Sequence, residues 1–72
     1  MKYFLNNKLV RTSYNNYEFA ITFNGRLIAC CGDYAKAQKR YSSDYNYYTK
    51  YYGFSTEEVA KYLKIEKLVK GE

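Results

Sequence analysis

Apolar and polar positions alternate most regularly at residues 17–23, where Tyr17, Phe19, Ile21 and Phe23 are interleaved with Glu18, Ala20 and Thr22. Period-two alternation predicts a half-buried β-strand. Asn24-Gly25 follows, a dipeptide suited to a type I′ turn because both central residues need positive φ. Arg26–Cys31 is then the return strand. A two-residue loop sets Phe23 opposite Arg26, Ile21 opposite Ile28 and Phe19 opposite Cys30. Tyr17, Phe19, Ile21, Phe23, Ile28 and Cys30 form the expected core face. Glu18, Ala20, Thr22, Leu27, Ala29 and Cys31 form a second face, small and only partly apolar. Upstream, Lys2–Leu5 and Lys8–Thr12 pattern as another hairpin around Asn6-Asn7. An isolated hairpin is marginal in water, so these strands are expected to extend the same sheet.

Gly32-Asp33 closes the sheet and opens a helix, with Asp33 as N-cap. The helix is expected over Tyr34–Tyr52, ended by Gly53 in a left-handed conformation. Ser55-Thr56-Glu57-Glu58 is a capping box that starts a second helix. Val59, Tyr62 and Leu63 make its apolar face. Ile65, Leu68 and Val69 fall off that face, so this helix should end near Lys64, with a further turn or a short strand after it. The expected fold class is α+β: an antiparallel β-sheet of three to four strands, then a long helix and a shorter C-terminal helix packed on one face. One domain spans residues 1–72, with hairpins at 2–31, the long helix at 33–53 and the second helix and tail at 55–72. No internal repeat is evident.

At about 100° per residue, Tyr34, Ala37, Tyr41, Tyr45, Tyr48 and Tyr52 fall in one stripe, which reads as the face packed on the sheet. Tyrosine in a core wants a partner for its hydroxyl, so the stripe implies a shallow core with a wet edge. Tyr47 and Tyr51 lie about 100–140° from the stripe centre, beside Lys36 and Arg40. An exposed flank of Lys36, Arg40, Tyr47 and Tyr51 follows, with Lys39 and Lys50 nearby and Asp44 on its border. Tyrosine and arginine are favoured at interface hot spots. Basic groups beside aromatic rings also suit single-stranded nucleic acid, where cations track phosphate and rings stack on bases. The same residues read equally as a solvated flank carrying an Arg40–Asp44 (i, i+4) pair.

Composition sharpens this picture. Seventy-two residues bury only a thin core, and 11 Tyr and 4 Phe, without Trp, place its weight on aromatic burial. A second copy of the chain would add burial, so homo-oligomerisation stays open. The net charge is +5. Lys2, Lys8, Arg11, Arg26, Lys36, Lys39, Arg40 and Lys50 face only Glu18, Asp33 and Asp44 in residues 1–54, while residues 55–72 balance four lysines with four glutamates. A positive field over the first three quarters of the chain favours nucleic acid, an anionic membrane or an acidic protein surface. Such a charge is also ordinary for solubility.

Much chemistry is excluded. The chain has no His, which removes His-dependent triads and common zinc sites. Gly25, Gly32, Gly53 and Gly71 are isolated at turns and build no phosphate-cradling loop. Asp33 and Asp44 are about three helical turns apart and do not form an acid/base pair. Glu57 and Glu58 serve the second helix's first turn. Adjacent Cys30 and Cys31 point to opposite faces of a strand and neither bridge nor chelate as a pair. Cys31 precedes a helix N-terminus, where a thiolate would be favoured. No general base accompanies it, and it reads as a buried structural cysteine. Unspaced cysteines imply a reducing cytoplasm. Residues 1–7 lack the apolar run of a signal peptide, and no stretch reaches membrane-spanning length.

Three resemblances bear on partners. Residues 55–72, with Glu57-Glu58-Val59-Ala60-Lys61-Tyr62-Leu63-Lys64-Ile65 and Leu68-Val69-Lys70-Gly71-Glu72, resemble the opening of an excisionase-type helix-turn-helix, and leave only Glu66–Lys70 for that family's recognition helix. Residues 9–45, through Tyr17, Phe19, Ile21, Gly25, Arg26 and the helix from Asp33, are similar to the three-stranded-sheet DNA-binding domains of phage and transposon integrases and plant ethylene-response factors. That resemblance implies a sheet face that reads the major groove, with Arg11, Arg26 and Lys8 as contacts. The family's tryptophan is absent here. In character the short, basic, Tyr/Asn/Lys-rich chain resembles phage and mobile-element accessory proteins, many of which inhibit host nucleases, CRISPR effectors included.

The expectation is a cytoplasmic, non-enzymatic binding module without cofactor, metal, membrane partner or small-molecule substrate. Its partner would be nucleic acid or a nucleic-acid–protein complex, engaged through Lys36, Arg40, Tyr47, Tyr51, Lys50, Arg11 and Arg26. The alternatives are a protein-directed, anti-CRISPR-like inhibitor of a host nuclease, and a structural homo-oligomer.

Overall fold

The computed structural model describes residues 1–71. Glu72, the end of the expected tail, lies outside them. Both hairpins form where their asparagines allow. Asn6 and Asn7 have φ of 51° and 63°, and Asn24 and Gly25 have φ of 52° and 80°. Asparagine tolerates the left-handed region better than most residues, because its side chain bonds locally to backbone. β1 (Lys2–Leu5) thus turns into β2 (Lys8–Thr12), and β3 (Phe19–Phe23) into β4 (Arg26–Cys31).

The two hairpins share a plan. Asn6-Asn7-Lys8-Leu9-Val10 matches Asn24-Gly25-Arg26-Leu27-Ile28 in residue character. Pairing shifts by one residue at the same place in each, skipping Val10 in β2 and Ile28 in β4. The two hairpins therefore share one turn-and-bulge geometry.

The skipped Ile28 changes which residues face the core. Ile21 pairs with Ala29 rather than Ile28, and Phe19 with Cys31 rather than Cys30. A slip of one residue exchanges the faces of everything beyond it. Cys31 and Ala29 therefore join Phe19, Ile21 and Phe23 on one face, and Cys30 moves to the other.

α1 (Tyr34–Tyr51) follows, capped by the Asp33 carboxylate, which accepts the Lys36 N–H at 2.8 Å. Gly53, at φ 72°, turns the chain out of it. α2 (Thr56–Tyr62) starts with the capping box intact: Glu58 N–H donates to the Ser55 hydroxyl, and Ser55 N–H to the Glu58 carboxylate, each at 3.1 Å. α2 is shorter than expected. Leu63 leaves it in extended conformation and begins β5 (Leu63–Lys67), which Leu68 joins to β6 (Val69–Gly71). The tail is therefore two strands, and they take up Glu66–Lys70 apart from Leu68, where the helix-turn-helix resemblance requires a recognition helix.

These last strands decide the topology. β5 pairs with β3, and β6 pairs with β1, all antiparallel. The result is two three-stranded sheets, β2-β1-β6 and β4-β3-β5, in place of one sheet of three to four strands. The fold remains α+β. The first hairpin does not extend the second: β5 takes the edge of β3, and β1 pairs with β2 and β6 instead.

The helices pack on one face of the β4-β3-β5 sheet. Ile21, Cys31, Ala37, Val59 and Leu63 form that core, with Phe19, Phe23, Tyr41, Tyr45, Tyr48, Phe54 and Ile65 around it. The opposite face, expected to be the minor one, is a second core: Tyr3, Ala20 and Leu68 with Leu5, Val10, Tyr17, Leu27 and Cys30. Tyr3 is fully buried. Its hydroxyl donates to the Asn15 carbonyl at 2.5 Å and accepts the Tyr17 N–H at 3.0 Å. Buried Thr22 donates to the Glu66 carboxylate at 2.8 Å.

The tyrosine stripe of α1 is core only in its middle. Ala37 is buried and Tyr41, Tyr45 and Tyr48 pack inward, but Tyr34 and Tyr52 are 52% and 61% exposed. Length explains this. Eighteen helical residues span about 27 Å, whereas a five-residue strand spans about 17 Å. α1 is longer than the strands it covers: at one end Tyr34 meets Phe19 of β3 only edge-on, with ring centroids 5.3 Å apart, and at the other Tyr52 lies just past the last helical residue.

Candidate binding groove

The C-terminal end of α1 is aromatic. Phe23 of β3 stacks on Tyr48, with ring centroids 4.2 Å apart and planes 11° from parallel. Tyr48 stacks on Tyr52 at 5.3 Å, Tyr52 meets Tyr47 edge-on at 5.4 Å, and Tyr47 tilts against Tyr51 at 5.1 Å. The rings form an unbroken chain from core to solvent. Each such contact adds about 0.5–1.5 kcal/mol beyond buried area. Tyr47 and Tyr52 thus pack on the core-anchored Tyr48 ring, and Tyr51 packs on Tyr47, while all three stay exposed.

This ladder is one wall of a groove between α1 and β4. An open hollow of about 600 Å³ is lined by Arg40, Asp44, Tyr47, Tyr48, Lys50 and Tyr51 from the helix and by Ile28 from β4. A second, of about 410 Å³, is lined by Phe23, Arg26, Ile28, Tyr48, Tyr52 and Phe54. Ile28 and Tyr48 belong to both and form the saddle between them. Ile28 reaches this position at the register shift of β4. β4 is an edge strand, so the groove is open along its length.

Among the expected contact residues, Arg40, Tyr47, Lys50 and Tyr51 come together in the first hollow, and Arg26 joins them from the second. Lys36 is exposed one turn before Arg40 and lines neither hollow; its ammonium folds back near Gly32. Arg11 does not join them. It lies beneath the other sheet face, with its guanidinium over the Tyr17 ring at 5.1 Å. The integrase-type resemblance implied one free sheet face bearing Arg11, Arg26 and Lys8. Both faces of β4-β3-β5 are instead covered, and Arg11 and Arg26 belong to opposite sides. Sequence reasoning missed Ile28, Tyr52 and Phe54 as groove residues. Tyr52 was legible as an aromatic at a helix end, but the role of Ile28 depends on a shift in pairing that nothing local signals.

The electrostatics are mixed. Arg40 Nε donates to Asp44 Oδ2 at 2.9 Å. Asp44 is mostly shielded while Arg40 is half exposed, so the carboxylate orients the guanidinium and offsets part of its charge. Arg26 and Lys50 form no ion pair among the described residues. Burial, then the Asp44 carboxylate, pushes the Tyr48 phenol up, and the neighbouring Tyr52 hydroxyl pushes Tyr47 up. These phenols are neutral at physiological pH and offer O–H donors. Burial also pushes the thiols of Cys30 and Cys31 up. At Cys31 desolvation outweighs the Arg40 guanidinium, which acts the other way, in keeping with a buried structural cysteine.

Among the described residues, no cluster of His, Cys, Asp or Glu is placed to hold a metal ion, and no helix is long and apolar enough to cross a membrane. No known protein family, curated protein or solved structure matches this chain.

Proposed function

We propose that this chain is a non-enzymatic binding protein, of phage or other mobile-element origin, that engages nucleic acid or a nucleic-acid–protein complex through the α1–β4 groove. The observation that carries this reading is the meeting of three cations, Arg26, Arg40 and Lys50, with three exposed rings that pack on one another, Tyr47, Tyr51 and Tyr52, along one open groove. Cations near rings recognise phosphate and base together. Rings that already pack on one another lose less freedom on binding than isolated ones.

The Arg40–Asp44 pair favours a second reading, a protein-directed inhibitor of a host defence nuclease. A carboxylate in the groove repels phosphate, whereas a protein surface of mixed charge accommodates both members of the pair.

Affinity capture of tagged protein from host lysate, with and without nuclease, separates the two. Loss of all partners on nuclease treatment supports the nucleic-acid reading. One protein that survives nuclease, and is released by Tyr47→Ala with Tyr51→Ala, supports the inhibitor. Partners unaffected by that double variant and by Arg26→Ala would remove the groove from either function.

A further inference from the structure

We infer that the α1–β4 groove takes an unpaired strand laid lengthwise, one nucleotide in each hollow, and refuses duplex. This rests on the nucleic-acid reading above and names the form of nucleic acid.

The groove repeats one arrangement twice. On one side of the Ile28–Tyr48 saddle, Tyr51 stands with Arg40 and Lys50; on the other, Tyr52 stands with Arg26. Each half offers a ring for a base and a cation for a phosphate. Tyr51 and Tyr52 are 70% and 61% exposed, so much of each ring is free to meet a base. In a duplex the base faces are already stacked on one another, and only their edges reach the grooves. Protein rings gain from stacking only when bases are out of that stack. Arg26, Arg40 and Lys50 are all exposed along the groove, so the preference for an unpaired strand comes from the rings, which need unstacked bases, and the cations serve its phosphates.

The ladder back to Phe23 supplies the rest. Tyr52 rests on Tyr48, and Tyr48 on Phe23, so the second stacking position is fixed by the core. Asp44 holds Arg40 through Nε alone. The terminal amino groups of Arg40 have no protein partner among the described residues and remain available to a phosphate.

The test is fluorescence anisotropy with labelled oligothymidylate and oligouridylate of about ten nucleotides, beside a duplex of equal length. Single strands should bind at least about tenfold tighter than duplex. Their affinity should fall with salt at a log–log slope near about −2, as expected for up to three phosphates on a single strand. Tyr51→Ala and Tyr52→Ala should each weaken single-strand binding about five- to hundredfold. Tyr14→Ala, fully exposed and outside the groove, should leave it unchanged. Circular dichroism establishes that the variants are folded. Duplex bound as tightly as single strand, or Tyr51→Ala and Tyr52→Ala without effect, would overturn this inference and leave nucleic-acid binding standing. No binding of either form would overturn both.

Discussion

Removing one oxygen atom tests the two-core architecture. The Tyr3 hydroxyl is the only described side-chain partner of both the Asn15 carbonyl and the Tyr17 amide. It ties the first hairpin to the segment that leads into β3. In Tyr3→Phe the ring still fills its site, so no cavity forms. What is lost is one donor and one acceptor at a position with no solvent access. An unsatisfied buried polar group costs about 1–3 kcal/mol. Asn15 is exposed and regains water at part of that cost, whereas Tyr17 is partly buried. The expected loss is therefore about 2 kcal/mol. A chain of 72 residues has a total stability of about 4–11 kcal/mol, so the loss is easily read. Urea unfolding followed by far-ultraviolet circular dichroism should show the midpoint lowered by about 2 M, at a slope of about 1 kcal/mol per M. Hydrogen exchange at the Tyr17 amide should quicken beyond the global change. Tyr14→Phe, at a fully exposed ring, should shift nothing. A Tyr3→Phe midpoint within error of the parent, with the Tyr17 amide still protected, would refute the reasoning and leave the first hairpin as a loosely attached flap.

Two further outcomes follow from the same structure. Glu18 bonds Lys70 at 2.5 Å and lies 3.7 Å from Lys67, and the Lys70 hydrogen bond leads the effects that hold its carboxyl below the ordinary carboxylate range. A depressed folded value adds stability that is fully present above the unfolded value and lost as pH falls through the folded one; urea midpoints of Glu18→Gln and the parent should therefore converge in acid, and a constant gap across the titration would count against the pairing. Cys30 and Cys31 have raised thiol values because of burial, so alkylation by iodoacetamide at neutral pH should be several-fold slower than for a free thiol and should speed up on denaturation; labelling of either cysteine at the free-thiol rate in the folded protein would contradict their placement in the two cores.

Local signals determined much of this molecule. Asn6-Asn7 and Asn24-Gly25 fixed both hairpin turns, because few residues accept positive φ at two successive positions. Asp33 and the Ser55–Glu58 box fixed both helix starts, because backbone N–H groups there need an acceptor. The 3.6-residue period separated Tyr47 and Tyr51 from the tyrosines that pack inward, and placed Arg40 and Lys50 beside them. Each of these follows from residues within a few positions of one another. Tertiary structure decided what depends on distant partners. β5 and β6 return from the far end of the chain to pair with β3 and β1, which splits the sheet in two and buries a face that looked minor. The skipped Ile28 exchanges Cys30 with Cys31 and puts an isoleucine at the centre of the groove. The mismatch in length between α1 and the strands beneath it leaves Tyr34 and Tyr52 more than half exposed at the ends of the stripe, and Tyr52 becomes part of the site. Arg11 and Arg26, alike as basic residues on strands, end on opposite sides because the sheet between them is covered on both faces. Periodicity specifies which side of its own element a residue takes, while the surroundings of that side are set only when the elements meet.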